Sequence, residues 1–280
     1  MIEDILGINR RNIEYVMAHN RREHFRLVDD KLLTKRLLVE NGIPCPGLYA
    51  TATSLFELDG FLESVARRGA FALKPARGFG GKGIAIVTDN DHRGWRLADG
   101  SLWGFDEQVE HIGAICYGVY SIDNAMDAAF AEALIEPHEG LAAFSAAGLP
   151  DIRLIIYKGA PRMAMIRAAT RRSHGTANLH AGGFAVAVDL ASGRTGRGWD
   201  GAAALSEHPD TGAPISGVRI PHWDRVLSIA GSLYDHFPLG YMGADFAIDK
   251  TVGPVVLELN ARPGLEIQNV NGRGLRRELT

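Results

Sequence analysis

Residues 245–264 (DFAIDKTVGPVVLELNARPG) set apolar against polar positions at the period of a strand, which predicts two strands joined by a turn at Gly253-Pro254. Alternate side chains of a strand share a face. Glu258 and Asn260 therefore point one way, and Leu257 and Leu259 point into a core. A hairpin can bring Asp245 onto the polar face of the other two.

The helical period appears elsewhere. A helix starts at Asp29 or Asp30, either of which can cap it, and runs through KLLTKRLLVEN to Gly42 and Pro44. Lys31 and Lys35 read as surface charge, although a lysine in a first turn opposes the helix dipole. After a short strand, GLYAT, Ser54 and Glu57 have capping-box spacing, and Leu58, Phe61, Leu62 and Val65 form a core-facing stripe. From Trp95 to Ser121 the pattern is weak and suggests short strands and turns. Residues 127–135 are apolar around Glu132 and read as a link between lobes. DIRLIIYKGAPRMAMIRAAT predicts an antiparallel hairpin about Lys158-Gly159, with Arg153 and Arg167 on its polar side. A loop carrying Asn178 and His180 precedes another strand. Residues 192–218 read as a surface excursion. Trp223, Val226, Ala230, Leu233, Tyr234 and Phe237 then mark a helix.

FALKPARGFGGKGIAIV is an apolar strand, a glycine-rich loop and a second apolar strand. Gly78, Gly80 and Gly83 satisfy G-x-G-x-x-G, but a dinucleotide fingerprint needs a helix after the loop, and IAIV is a strand. The Walker pattern fails as well, because Lys82 is followed by Gly83 and not by Ser or Thr. The remaining reading is a glycine-rich β-hairpin. Such a loop can lie over a triphosphate and donate backbone N–H groups. Lys74, on the strand that enters it, is an unexpected charge unless its ammonium meets a phosphate.

Length and composition change this picture little. The chain has 280 residues, 46% hydrophobic and 22% charged, which is ordinary for a globular protein of one large or two smaller domains. No apolar run reaches the roughly 20 residues of a spanning helix, and the N-terminus does not read as a signal peptide. A net charge of −3 argues against general nucleic-acid affinity. The two cysteines, Cys45 and Cys116, form no CxxC and read as packing residues in a reducing cytoplasm.

The polar face of the predicted hairpin carries the sharpest chemistry. Asp245, Glu258 and Asn260 are hard oxygen donors, with no thiolate or imidazole among them. The set suits Mg²⁺ held together with substrate phosphates, not Zn²⁺. The same pattern also suits a solvated strand face, and the glycine-rich loop is what favours the metal.

Taken in order, these parts resemble the ATP-grasp superfamily, and among its members the RimK-like α-L-glutamate ligases. LVDDKLLTKRLLVENGIPCP is similar to their opening segment, and FALKPARGFGGKGI to their phosphate loop. DIR, NLHAGG, DFAID and LELNARPGL follow in the family's order, so the resemblance covers about residues 29–265. It implies an α+β ATP-grasp fold, with two α+β lobes whose antiparallel sheets clasp ATP. A short helical arm (1–28) stands in place of a full preceding domain, followed by a glycine-loop lobe (29–135) and a metal-binding lobe (136–280). It further implies that Lys31, Lys74 and the loop glycines Gly78, Gly80, Gly81 and Gly83 bind ATP, with Glu132 or Glu136 at the adenine. Asp151 would lie near the ribose and Arg153 near the phosphates. Asn178 would reach the γ-phosphate or acyl phosphate. Asp245, Glu258 and Asn260 would hold two Mg²⁺ ions, with Mn²⁺ as a substitute. Arg167 and Arg262 are the candidates for a substrate carboxylate.

The implied activity is ATP-dependent carboxylate–amine ligation through an acyl phosphate, adding glutamate or another amino acid to an amine on an amino acid, peptide or protein tail. Ala181 and Arg262 depart from the RimK-like pattern, so the substrates need not be those of RimK-like ligases. The alternative is an ATP-binding protein whose acceptor site comes from a second chain, either a homo-oligomer partner or a chain supplying the missing domain. A kinase-like phosphotransferase is disfavoured by the absence of HRD and DFG triplets. No nucleic-acid or membrane partner is implied.

Overall fold

The computed structural model describes residues 4–121 and 124–279; residues 1–3, 122–123 and 280, including the start of the expected arm, lie outside it. The chain is α+β and divides into two compact units. One holds Asp30–Leu32 and Pro46–Leu134. The other holds the described residues before Asp30, Leu33–Cys45 and those from Ile135 onward.

The first unit is built on a six-stranded antiparallel sheet. Its strands are β1 (Leu48–Ala52), β2 (Phe71–Pro75), β3 (Ala85–Asp91), β4 (Gly94–Leu97), β5 (Leu102–Trp103) and β6 (Ala129–Glu132), in the order β1-β6-β2-β3-β4-β5. Phe71, Leu73, Val87 and Trp95 share a core with Phe61 and Val65 of the helix Leu58–Val65 and with Ile112 and Ile115 of the helix Phe105–Cys116.

That second helix corrects the expectation of short strands. Gln108, Ile112, Gly113, Ile115 and Cys116 are its buried positions, and they recur at helical spacing. The β-branched residues and glycines of the segment obscure this in the sequence. Strand β6 is a second correction. Residues 129–132 do not form a link but sit inside the sheet, paired with both β1 and β2. The capping box is a third: the Ser54 side chain makes no cap, and Glu57 accepts instead from Thr53 N at 2.7 Å.

The second unit carries seven strands in the order β11-β10-β9-β8-β7-β12-β13. They are β7 (Asp151–Tyr157), β8 (Ala160–Ala168), β9 (Phe184–Val188), β10 (Thr195–Trp199), β11 (Ala204–Leu205), β12 (Tyr241–Asp249) and β13 (Gly253–Asn260). The expected hairpin about Lys158-Gly159 is β7–β8, and both turn residues have positive φ, 49° and 78°. Residues 192–218, expected to be an excursion, contain β10 and β11 and lengthen the sheet.

One face of this sheet buries Leu154, Ile156 and Phe246 against Trp223, Val226, Ala230 and Leu233 of the helix Trp223–His236. Tyr234, assigned to that helix's apolar stripe, is exposed instead. The opposite face buries Ile155, Tyr157, Met163 and Tyr241 against Leu6 and Tyr15 of the N-terminal arm and Ile267 and Val270 near the C-terminus. Cover on this second face is incomplete. Arg153, Asp151 and Arg167 continue its apolar rows in register.

The helix Lys31–Glu40 is divided between the units. Asp30 Oδ1 accepts from Leu32 N, so Asp30 is its cap. Lys35, expected at the surface, is buried.

Candidate active site

The glycine-rich loop spans β2 and β3, which pair directly, as a hairpin requires. Two of its glycines are sterically required. Gly83 has φ of 73°, and a Cβ there would meet the Tyr120 ring at 2.5 Å; a Cβ on Gly78 would meet Pro75 at 2.2 Å. Lys31 stands at the loop's base, its N–H donating to Ala76 O (2.9 Å) and its Nζ to Gly78 O (2.7 Å).

Lys74 and Glu132 share a sheet face, because Lys74 is two residues beyond Ala72 and Ala72 is in register with Glu132. Lys74 Nζ donates to Glu132 Oε1 at 2.5 Å, and Glu132 is 3% exposed. The competing hinge acid, Glu136, is exposed and paired with Lys250.

Two residues of this unit escaped the sequence reading. Buried Asp127 accepts from both Arg77 N and Ser121 Oγ, tying down the start of the loop. His111 bonds Gly83 O at 3.0 Å from the helix Phe105–Cys116, and burial pushes its imidazole below the usual range. The signal for His111 was the helical period of residues 108–116, which went unread.

In the second unit, antiparallel register assembles the polar cluster. Asp245 on β12 lies opposite Glu258 on β13 and opposite Arg153 on β7. Asp151 on β7 lies opposite Arg167 on β8. Residues opposite one another share a face, so these five side chains and Asn260, two beyond Glu258, all project from one side. A β-bulge between Asp245 and Phe246 breaks the alternation of β13. Leu259 reaches the core as expected, whereas Leu257, at the bulge, is only half-buried. The turn is also displaced by a few residues: Gly253 and Pro254 open β13, and residues 250–252 make the turn.

Two guanidiniums brace the carboxylates. Arg153 donates to Asp245 through Nε (2.7 Å) and Nη2 (2.5 Å). Arg167 donates to Asp151 through Nε (2.6 Å) and Nη2 (2.9 Å), and its Nη2 also reaches Asp245 Oδ2 at 2.9 Å. Burial opposes charging Asp245, but the two guanidiniums more than offset it and hold its carboxyl below the usual range. Asp151 goes the other way: burial pushes it up to about 6 against the pull of Arg167, and the Asp245 charge adds to the rise. With Glu258, the cluster sets three carboxylates against two guanidiniums.

Asn178, Arg262 and the cysteines are placed elsewhere. Asn178 Oδ1 caps its own turn by accepting from His180 N. The Arg262 guanidinium donates to Asp29 (3.1 Å) and lies over the Phe25 ring (4.9 Å), with close to half of its side chain exposed. Neither Cys45 nor Cys116 is in a disulfide.

Among the described residues no group of three or more His, Cys, Asp and Glu stands ready for a metal. The donor set here differs, being two carboxylates and an amide. It fits a hard divalent cation on two counts. The cluster has a surplus of one negative charge. The buried Asn260 Nδ2 also has no hydrogen-bond partner among the described residues, so no bond there fixes the amide against turning its oxygen to a cation.

No helix among the described residues is long and apolar enough to cross a membrane.

Known proteins extend these observations. The family model described as sugar-transfer associated ATP-grasp matches residues 10–280. No curated protein matches the chain. Among solved structures, the RimK-domain ATP-grasp protein from Sphaerobacter thermophilus DSM 20745 is similar at a TM-score of 0.51 and 13% identity, over 93% of this chain and 69% of that one. The ATP-grasp ligase PsnB, complexed with a minimal precursor, is similar at a TM-score of 0.50 and 14% identity, over 93% of this chain and 60% of PsnB. The chain thus spans less than two thirds of PsnB. At these identities the likeness is one of fold, and it bears out the α+β architecture; the superfamily that the motifs implied is borne out by the family model.

Proposed function

Because the chain belongs to the sugar-transfer associated ATP-grasp family, we propose that it is an ATP-dependent carboxylate–amine ligase. The observation that carries this reading is the register that sets Asp245 opposite both Arg153 and Glu258. That register concentrates three carboxylates, two guanidiniums and an amide on one sheet face. Such a face suits binding a metal–phosphate group better than a protein core.

In this reading the glycine-loop unit supplies nucleotide contacts. Backbone N–H groups of Gly78, Gly80, Gly81 and Gly83 and the ammonium of Lys74 bind phosphates, and Lys31 fixes the loop's base. Glu132, already joined to Lys74, orients that ammonium. Glu136 remains the candidate at the adenine. In the other unit, Asp151 contacts the ribose. Asp245, Glu258 and Asn260 would hold Mg²⁺, which when bound supplies charge neutralisation for the phosphates. Arg153 and Arg167 each spend Nε and Nη2 on aspartates, which leaves Nη1 of each for a phosphate or carboxylate oxygen. Asn178 is proposed for the transferred phosphoryl group.

The substrate carboxylate attacks the γ-phosphorus of ATP, the bond to the β-phosphate oxygen breaks, and ADP leaves. The amine nitrogen then attacks the acyl carbon, phosphate departs with the former carboxylate oxygen, and the amine loses a proton. The residues contribute position and fixed charge to both steps, and no covalent enzyme intermediate forms. Arg262 is proposed for the acid. Its pair with Asp29 is exposed and worth about 0–1 kcal/mol, so a substrate carboxylate can displace it.

PsnB was solved complexed with a minimal precursor, and for this chain the acceptor proposed is the amine of an amino acid, peptide or protein tail. The test is a screen of acids and amines in which the acid's carboxylate carries heavy oxygen. Label appearing in the released phosphate, only when acid, amine and ATP are all present, supports the reading. ATP binding with no amine-dependent turnover would instead favour a protein completed by a partner chain.

A further inference from the structure

A cavity of about 860 Å³ is bounded by β10, the helix Ile267–Asn271 and the segment that follows it. None of the residues proposed for nucleotide, metal or acid lies in its wall. The volume falls in the range of small-molecule sites, roughly 300–1,000 Å³, and is far larger than an inorganic anion needs.

The wall is rich in donors. Among the described residues of the wall, Arg197, Arg273 and Arg277 stand beside Asp4 and Glu278. Arg273 reaches Glu278 at 3.4 Å, whereas Arg197 has no carboxylate partner among the described residues. Its guanidinium lies 5.6 Å from the centre of the Trp199 ring. The approach to the backbone is tight, since a Cβ on Gly272 would stand 2.7 Å from Arg197 Nη1. Gly272, at φ of 64°, ends the helix Ile267–Asn271, so the turn that closes this helix also shapes the seat of the guanidinium. Trp199 also lines the wall and offers an aromatic face beside that guanidinium.

We propose that this cavity binds an organic anion of about nucleotide size, its phosphate or carboxylate held by Arg197 and Arg273 and its apolar part against Trp199. A guanidinium donates bidentately to either anion, so phosphate and carboxylate share the chemistry. The proposal does not depend on the ligase reading.

Calorimetric titration of the nucleotide-free whole chain with glucose 1-phosphate, citrate and inorganic phosphate tests it, and the Arg197 and Arg273 variants separate this cavity from a nucleotide site. At least one organic anion should bind more tightly than inorganic phosphate, and which of the two binds identifies the group recognised. Arg197→Gln and Arg273→Gln should each weaken that binding about tenfold, the loss of one charge-assisted contact. Trp199→Leu, which removes the aromatic face proposed to carry the ligand's apolar part, should weaken it too. Arg197 is exposed, so its variant should melt with the wild type. Failure of both organic anions to bind overturns the proposal, as does undiminished affinity in Arg197→Gln.

Discussion

Arg153 and Asp245 face each other across neighbouring strands and are joined by two hydrogen bonds, Nε to Oδ1 at 2.7 Å and Nη2 to Oδ2 at 2.5 Å. Asp245 is 3% exposed, so this pair is part of the fold as much as of the site. Removing one member of a buried ion pair strands the other. Arg153→Ala should therefore lose about 3–5 kcal/mol of stability, less whatever Arg167 recovers through its own bond to Asp245. Urea denaturation reads this directly. A loss below about 1 kcal/mol, the range of exposed pairs, would mean that water screens the cluster.

Asp151 and Asp245 should pull the pH profile of stability in opposite directions. The Asp151 carboxyl rises from 3.8 to about 6 in the native state, so the folded chain binds its proton more tightly than the unfolded chain. Its contribution is complete below 3.8 and is lost as pH rises through about 6. Asp245 is held low, so its contribution is present above the ordinary carboxylate range and is lost as pH falls through its native value. Asp151→Asn should remove the falling limb between about pH 4 and pH 6 while keeping the acid-side loss. Parallel profiles for wild type and variant would show that Asp151 is charged throughout. Added Mg²⁺ should favour the charged form and lower the native Asp151 value if the cation sits on this face.

Lys74→Ala should weaken ATP binding by ~1.5–3 kcal/mol, the value of a charge-assisted hydrogen bond. It should also destabilise the fold, because Glu132 is buried beside it. Pairing Lys74→Met with Glu132→Gln should restore stability but not affinity. Lys82, whose ammonium lies over the Phe79 ring, should matter less when changed to Ala. Calorimetry that ranked Lys82 above Lys74 would invert this assignment.

Much of this architecture was legible before any coordinates. Asp245, Glu258 and Asn260 share a face because strand alternation and hairpin pairing are local rules, and Lys158-Gly159 announced its turn. Long-range consequences were less accessible. That Arg153 and Arg167 would be taken up by Asp245 and Asp151 depends on β7 lying between β8 and β12, and strand order is not written in any one segment. The helix Phe105–Cys116 was missed because its buried positions are interleaved with glycine and β-branched residues. Lys35 was misjudged because a helix pattern gives the face of a residue and not what packs against it.

Arg262→Lys should raise the KM for the acid far more than that for ATP, since lysine keeps the charge but loses the planar fork. Stability should change little, because the pair with Asp29 is exposed. Equal losses for both substrates would assign Arg262 to the phosphates, and unchanged kinetics would leave it as a tether to Asp29 and Phe25.

The central claim is that the face carrying Asp245, Glu258 and Asn260 supports Mg²⁺-dependent amide formation. Its most direct test is the rate of ADP release with ATP, Mg²⁺, acid and amine, compared between wild type and Glu258→Gln, with circular dichroism on both. Wild type should sustain ADP release over many turnovers only when acid and amine are both added, and Glu258→Gln should be folded and inactive. Near-normal ADP release by a folded Glu258→Gln protein would contradict the claim.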